Sequence, residues 1–507
     1  MNNLYKNYQR VRPARPLAWA VGAAGLILFA ACSTTPSAAP AAAPAAATEQ
    51  AATEQAATEQ AAAEQAATEQ PAADTSTVTS TDSSTDTGTV TSTGATTDTS
   101  TGATGTTTDT TTDTAAAGAG APAVVPAAND AGGSRLQVPA GFALNTYFTG
   151  LRAPRLMTVG PDGALYVAER GSNAVVRLPD ANNDGVADER QVVAQNLTGA
   201  HSVEWHEGAL YVGTNGSVVR LQDQNGDGDF LDDGEQAVVT DNIPDGGVHS
   251  TRTAHFGPDG MLYVAAGSSS NIGVESDRRR AAILRFSADG SIPADNPFAN
   301  DPEETRRPVW AEGLRNSVDF LFLPDGRLWA DHNGSDMLGD DIPPEEIVIQ
   351  VEKGKHYGWP YCYTPVEGVV PPGTQDVHDE RVPFDQWLSD CSQSTPALFT
   401  DLAHQAPLGM ALYNGTTFPA EYQGNLFVAY HGSWNSSVPR ECKVERIVVQ
   451  DGMPVSSESF VTGFMAATAI VRRRLGPPRR RVCGAHGELF VSDDQNGNIY
   501  RVVYTGS

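Results

Sequence analysis

From Leu151 onward one short pattern of apolar and polar positions returns six times: a turn rich in Gly, Pro and Asp, a Leu-aromatic-Val strand, a polar loop and another β-rich run. The first three instances are Gly160-Pro161-Asp162-Gly163 before Leu165-Tyr166-Val167, Glu207-Gly208 before Leu210-Tyr211-Val212, and Gly257-Pro258-Asp259-Gly260 before Leu262-Tyr263-Val264. The other three are Pro324-Asp325-Gly326 before Leu328-Trp329, Gln423-Gly424 before Leu426-Phe427-Val428, and His486-Gly487 before Leu489-Phe490-Val491. Proline presets φ in such a turn and glycine accepts positive φ, so the word predicts a tight hairpin between two strands. Six of them, 45 to 98 residues apart, predict an all-β, six-bladed β-propeller over 134–507 with insertions in the later blades. A sandwich or barrel rarely repeats one turn-strand word six times. A propeller gathers loops from every blade around one axis, so residues far apart in sequence can meet in one site.

The first 133 residues lack this pattern. Lys6, Arg10, Arg12 and Arg15 precede a 15-residue apolar run, Leu17 to Ala31, too short to span a bilayer comfortably. A basic start, a short apolar stretch and small residues describe a secretory signal over 1–31. Cys32 directly after Ala30-Ala31 resembles a bacterial lipobox, which implies cleavage before Cys32 and lipidation of its thiol. Ala-Ala-Thr-Glu-Gln repeats, a Thr/Ser/Asp/Gly stretch and an Ala/Gly/Pro hinge fill 32–133. With almost no large apolar side chains they cannot offset the entropy of ordering, and they read as a disordered stalk. The expectation is an exported, lipid-anchored protein facing the periplasm or cell surface, touching the membrane through its anchor only. With a formal net charge of −28, acidic in both the stalk and the propeller, the chain repels phosphate backbones and does not read as a nucleic-acid binder.

Candidate chemistry sits in loops next to the repeats. His249, in Val248-His249-Ser250-Thr251-Arg252-Thr253, lies just before the third repeat's first strand, and imidazole can take a proton from a hydroxyl near neutral pH. Arg315 and Asn316 hold the same relative place before the fourth repeat; they offer donors suited to carboxylates or quinone oxygens, or an inter-blade salt bridge. Gly334, Ser335 and Asp336, followed by Asp340 and Asp341, form an oxygen-rich loop suited to calcium, or else a solvated acidic turn. Asp180 to Asp188 and Asp223 to Asp229 match half of an EF-hand loop and read as hairpin turns that can hold structural calcium. In an exported chain disulfides persist. Cys362 and Cys391 bracket one long loop and are paired here; spacing alone leaves Cys442 and Cys483 paired or free.

Taken together these words resemble the soluble pyrroloquinoline-quinone-dependent sugar dehydrogenases, most closely the glucose/sorbosone dehydrogenase branch, over about residues 136–505. The carrying stretches are His249 to Thr253 with Gly257 to Gly260, Gly313 to Asn316, Leu338 to Glu346, Gly354 to Cys362, His404 to Gly409, and His431-Gly432-Ser433-Trp434-Asn435. The resemblance implies a six-bladed propeller that binds pyrroloquinoline quinone over its channel, with calcium against the cofactor. By position His249 would take the sugar's anomeric hydroxyl proton while hydride passes to the quinone's C5 carbon. Arg315 and Asn316 would bind the cofactor, His431 would stand in the cofactor wall, and carbonyls near Gly334 and Ser335 would hold calcium. The partners implied are a small-molecule sugar and an unidentified electron acceptor.

Three departures stand out. Val318 occupies the place of a glutamine of the best-known glucose-oxidising members, and His431-Gly432 the place of a cofactor-binding lysine. From Ala467 to His486 the chain carries a basic run where the family has something like Gly-Val-Trp-Gly-Arg-Pro-Val-Asp-Val, with an arginine that reaches the cofactor. Codons for Arg473 to Arg481 can be chosen so that a one-base shift restores that word, so a pair of compensating frameshifts explains the run; an evolved basic patch for an anionic partner is the competing explanation. Two further functions compete with sugar oxidation: a catalytically inactive cell-surface propeller binding carbohydrate or protein, and a calcium-dependent propeller lactonase.

Overall fold

The computed structural model describes residues 123–124, 135–464, 478–483 and 487–506. Six antiparallel sheets follow one another along the chain. Blade 1 is Pro154–Val159, Leu165–Glu169, Ala174–Leu178 and Gln191–Ala194. Blade 2 is Ser202–His206, Ala209–Gly213, Val218–Leu221 and Gln236–Thr240. Blade 3 is Arg252–Phe256, Leu262–Ala266, Ala282–Phe286 and Val309–Glu312. Blade 4 is Phe320–Phe322, Leu328–His332, Glu345–Val351 and Phe399–Asp401, with Gly368–Val369 added outside. Blade 5 is Pro407–Leu412, Leu426–Tyr430, Lys443–Gln450 and Met453–Val461. The first strand of each blade touches the first strand of the next, and the ring closes from blade 6 back to blade 1.

Blade 6 is made from both ends of the propeller. Pro478–Cys483, Leu489–Asp493 and Asn498–Tyr504 supply three strands, and Phe142–Phe148 the outermost, with Phe142 opposite Tyr504. Such closure ties the two ends of the propeller together in one sheet. Within the Arg-rich segment, the backbone of Pro478–Cys483 takes the innermost place and pairs with Leu489–Asp493. The rest of that segment, with Cys32 and the predicted signal and stalk apart from Ala123–Val124, lies outside the described residues.

The first four repeated words form the tight hairpins between the first and second strands of their blades, while Gln423-Gly424 ends a longer connection that carries the 3-10 turn Ala420–Tyr422. The three Pro-Asp-Gly words show why their turns are tight. Gly163, Gly260 and Gly326 have φ of +80°, +70° and +88°, a conformation glycine adopts without strain. Asp259 Oδ1 accepts from the Met261 amide at 3.1 Å, while its Oδ2 accepts from the Tyr263 hydroxyl at 3.1 Å and Arg285 Nη2 at 2.9 Å. Asp162 repeats the arrangement with Ala164, Tyr166 and Arg177. The aspartate therefore ties the turn to the second and third strands.

The Leu-aromatic-Val words are buried on both faces because each blade is covered by two neighbours. The core divides into seams, each apolar cluster joining residues of adjacent blades: Tyr211 with Phe256 and Leu284 between blades 2 and 3, for example, and Trp329 with Met410 and Val428 between blades 4 and 5.

Blade 4 carries the largest insertion. There Cys362 and Cys391 form the expected disulfide, with Cα atoms 5.8 Å apart, over a small cluster of Tyr361, Val382 and Leu388. Replacing both cysteines by alanine reopens a loop of 29 residues and should lower the unfolding free energy by about 3 to 4 kcal/mol in the chain-entropy treatment, read as a lower denaturation midpoint. Cys442 is buried, with Sγ 2.9 Å from the His431 carbonyl; the side chain of Cys483 lies outside the described part.

Candidate active site

Loops entering the first strand of a blade and leaving its second strand share one end of the propeller. At that end lies a cavity of about 330 Å³ lined by residues from blades 1, 3, 4 and 5. His249, Arg315, Asn316, Gly334, Asp336 and His431 all line it, as do Arg155, Thr251, Glu345, His404 and Trp434. Residues up to 279 positions apart in sequence thus meet as the blade count requires.

The His249 loop is held from below. Buried Arg252 donates through Nη1 to the carbonyls of His249 at 2.8 Å and Thr251 at 2.7 Å. His249 Nδ1 lies 2.8 Å from Ser268 Oγ, and that hydroxyl donates its one hydrogen to the Ser270 carbonyl at 2.7 Å. Ser268 can therefore only accept from Nδ1–H, which leaves Nε2 as the basic nitrogen. Burial and the nearby Arg315 charge hold the His249 pKa well below its ordinary 6.5, so the ring stays neutral at pH 7. Gly267 permits the packing: a Cβ there would lie 2.5 Å from the Cβ of His249 and 2.8 Å from Asn316 Oδ1.

Arg315, 4% exposed, ties three loops together. Its Nε donates to the Asn271 carbonyl at 2.8 Å, Nη2 to Asn271 Oδ1 at 2.8 Å and Asp336 Oδ2 at 3.0 Å, and Nη1 to the Asn333 carbonyl at 3.3 Å. Four of its five N–H groups are thus engaged within the protein, which leaves one on Nη1 for a ligand. Burial of Asp336 raises its pKa, but His404 and Arg315 outweigh this and hold it below the ordinary value. Arg155, 8% exposed, is different: among the described residues its Nε and Nη1 have no hydrogen-bond partner, and its Nη2 stands 3.7 Å from Asp494. Across the same aspartate, His431 Nε2 lies 3.8 Å away.

The predicted calcium ligands do not form one cage. Gly334 and Asp336 line the cavity, but Asp336 is paired with Arg315, and Ser335 lines a smaller neighbouring cavity. Arg381 donates to Ser335 Oγ and to the Asp336 carbonyl, both at 2.6 Å, so a guanidinium engages these two oxygens. Asp340 and Asp341 lie outside the cavity: Asp340 accepts from the Ser437 amide at 3.0 Å and Asp341 pairs with Arg440 at 3.3 Å. The acids are in the right loop, but both turn to the Ser437 to Arg440 loop, whose amide, hydroxyl and guanidinium donors engage them. Among the described residues no group of three or more His, Cys, Asp or Glu is arranged to hold a metal ion. In the two EF-hand-like words the carboxylates accept backbone amides of their own turns, such as Gly185 and Gly228 onto Asp180 and Asp223.

Several wall residues were not singled out by the sequence. Glu345 accepts from the Gly334 amide at 2.7 Å and the Ala406 amide at 3.3 Å, and burial pushes its pKa up to about 7. Glu345, His404 and Trp434 lie inside recognisable words, so their place was readable though their role was not. Arg155 had no local signal; a lone arginine in a first strand says nothing of the axis it faces.

A tricarboxylate quinone needs cationic donors and room for a planar ring system. The unpartnered nitrogens of Arg155, the remaining donor of Arg315 and His431 fit such a group. Fold and site together define a six-bladed propeller with an axial, cation-lined cavity and a neutral histidine in its wall. Residues 136–505 match the TrAA12-like family, and the chain belongs to it. A pyrroloquinoline quinone-dependent pyranose dehydrogenase of Coprinopsis cinerea is 26% identical over 421 residues, covering 72% of this chain and 54% of that protein, so the chain spans about half of that relative's length. The holo form of the pyranose dehydrogenase PQQ domain from Coprinopsis cinerea superposes with a TM-score of 0.59 at 20% identity, over 75% of this chain and 98% of that one. The PQQ-bound aldose sugar dehydrogenase of Streptomyces coelicolor gives 0.51 at 20% identity, over 72% and 99%. These structures share the fold, and the family resemblance read from the sequence is borne out. No helix among the described residues is long and apolar enough to cross a membrane.

Proposed function

We propose that this protein oxidises the anomeric carbon of an aldose in the axial cavity, using bound pyrroloquinoline quinone. The observation that carries the reading is the contact of His249 Nδ1 with a Ser268 hydroxyl whose own hydrogen goes to the Ser270 carbonyl, in the wall of the cavity, which assigns Nε2 as the basic nitrogen. When bound, the quinone supplies the acceptor for the two electrons and the hydrogen leaving C1. His249 Nε2 takes the C1 hydroxyl proton, and the C1–O bond becomes a lactone carbonyl. Arg155, Arg315 and Asn316 hold the cofactor's anionic groups, and the fixed positive charge of the two arginines favours negative charge as it develops. Family membership and the named activities of the relatives support this reading over a binding-only propeller.

The experiment is a panel of aldoses with an artificial electron acceptor, scoring lactone formed against acceptor reduced. One lactone per two electrons is expected; sugar binding with no lactone, or lactone consumed to acid without electrons, contradicts it. The pH profile adds a second check. Protonation of His249 removes the base, and its pKa is lowered by burial and then by Arg315, so kcat/KM should stay level as pH falls through 6.5 and drop only at more acid pH. A half-maximal point at or above 6.5 would contradict the assigned base.

A further inference from the structure

Trp434 is the only tryptophan among the described residues that is exposed, at 54%, and it lines the same cavity as His249. A half-exposed indole that is also part of a cavity wall stands at its rim. The lining that accompanies it is amphiphilic: His249, Ser250, Thr251 and Asn316 offer hydrogen bonds, while Val248 and Leu408 offer apolar surface. A ligand matching both has a rim of hydroxyls and an apolar ring face. That is the chemistry of a pyranose, whose axial C–H groups form a face that packs on an aromatic ring while its hydroxyls reach polar groups.

The loop carrying the indole is fixed by the carboxylates that do not reach the cavity. Asp340 accepts from the amide and hydroxyl of Ser437, its carbonyl accepts from Arg440 Nη2 at 3.1 Å, and Asp341 pairs with the same guanidinium. From the other end the His431 and Gly432 amides donate to the Ala406 and Gln405 carbonyls at 3.0 and 2.9 Å. Ser433 Oγ accepts from the Arg440 amide at 2.8 Å and closes the loop on itself. An exposed aromatic on a loop pinned at both ends is held ready for a ligand without ordering cost on binding.

We propose that Trp434 is the stacking platform for the pyranose ring of the substrate, and that Asp340 is a positioning residue that holds the platform's loop. The proposal rests on the sugar-oxidising function above and assigns its substrate a six-membered ring. Trp434→Ala should raise KM for a reactive aldopyranose roughly 3- to 10-fold with kcat and quinone binding little changed, and Trp434→Phe should recover most of the loss. Asp340→Ala should raise KM in the same direction, and Asp340→Asn, which keeps an acceptor oxygen, should restore part of it. An unchanged KM in Trp434→Ala overturns the platform while leaving the oxidation intact.

Titrating sugar into the quinone-free protein while following tryptophan fluorescence gives a readout independent of turnover. Sugar-dependent quenching that disappears in Trp434→Ala supports the platform even where wild-type protein oxidises no sugar, a result that would remove only the proposed activity. Equal quenching in wild type and variant, or none in either, overturns the platform.

Discussion

Replacing His249 with alanine is expected to lower kcat by about 10²- to 10⁴-fold, the usual contribution of a positioned general base, with quinone affinity and melting temperature close to wild type. The expectation follows from geometry. Ser268 fixes the tautomer, Arg252 fixes the loop and Gly267 lets the ring pack closely, so the side chain is preorganised for one task. His249→Gln keeps polarity without a basic nitrogen and should be nearly as slow, which separates loss of the base from loss of packing. Stopped-flow reduction of bound quinone reads the chemical step directly. A kcat within threefold of wild type in both variants would remove His249 from the reaction.

Arg315→Met should reduce stability by about 3 to 5 kcal/mol, the cost of leaving a buried charge without its partner. Arg315 is almost fully buried, and it joins Asn271, Asn333 and Asp336 across three loops. The loss is not additive with that of Asp336→Asn, because the two side chains share one ion pair; the double variant should recover at least about 1 kcal/mol relative to the sum. Denaturant unfolding of the four proteins measures this coupling. Additive losses would show that Arg315 acts only through the carbonyls of Asn271 and Asn333. Quinone binding should fall in Arg315→Met, yet less steeply than in Arg155→Met, since Arg155 carries the nitrogens that no described residue engages.

What the sequence disclosed about this fold was local. The Pro-Asp-Gly turns are encoded in adjacent residues, and each of the six words lies where a propeller's first hairpin must be. The strand Phe142–Phe148 carries no comparable signal for its place in blade 6, because its partner Asn498–Tyr504 is more than 350 residues away and strand chemistry does not name a partner. His249, Arg315, Asn316 and His431 were legible because they sit in loops at the far ends of the two strands that each hairpin joins, the end at which a propeller gathers its axial loops. Asp340 and Asp341 show the limit: a run of acids predicts oxygen ligands, but which way each side chain leaves a loop depends on what packs against it. There Ser437 and Arg440, about 100 residues later, decide the matter. Arg155 was missed for the converse reason, since one arginine in a buried strand gains its meaning only from the cavity it lines.

In the proposed function the axial cavity transfers electrons from a sugar to a bound quinone with His249 as base. The most direct measurement mixes purified protein with one equivalent of pyrroloquinoline quinone, without oxygen, and follows the cofactor's absorbance as an aldose is added. Complete reduction by one equivalent of sugar in wild type, with reduction in His249→Ala slower by about two orders of magnitude or more, is the result predicted. Quinone that stays oxidised under saturating aldoses, or that is reduced equally fast in the variant, would contradict it.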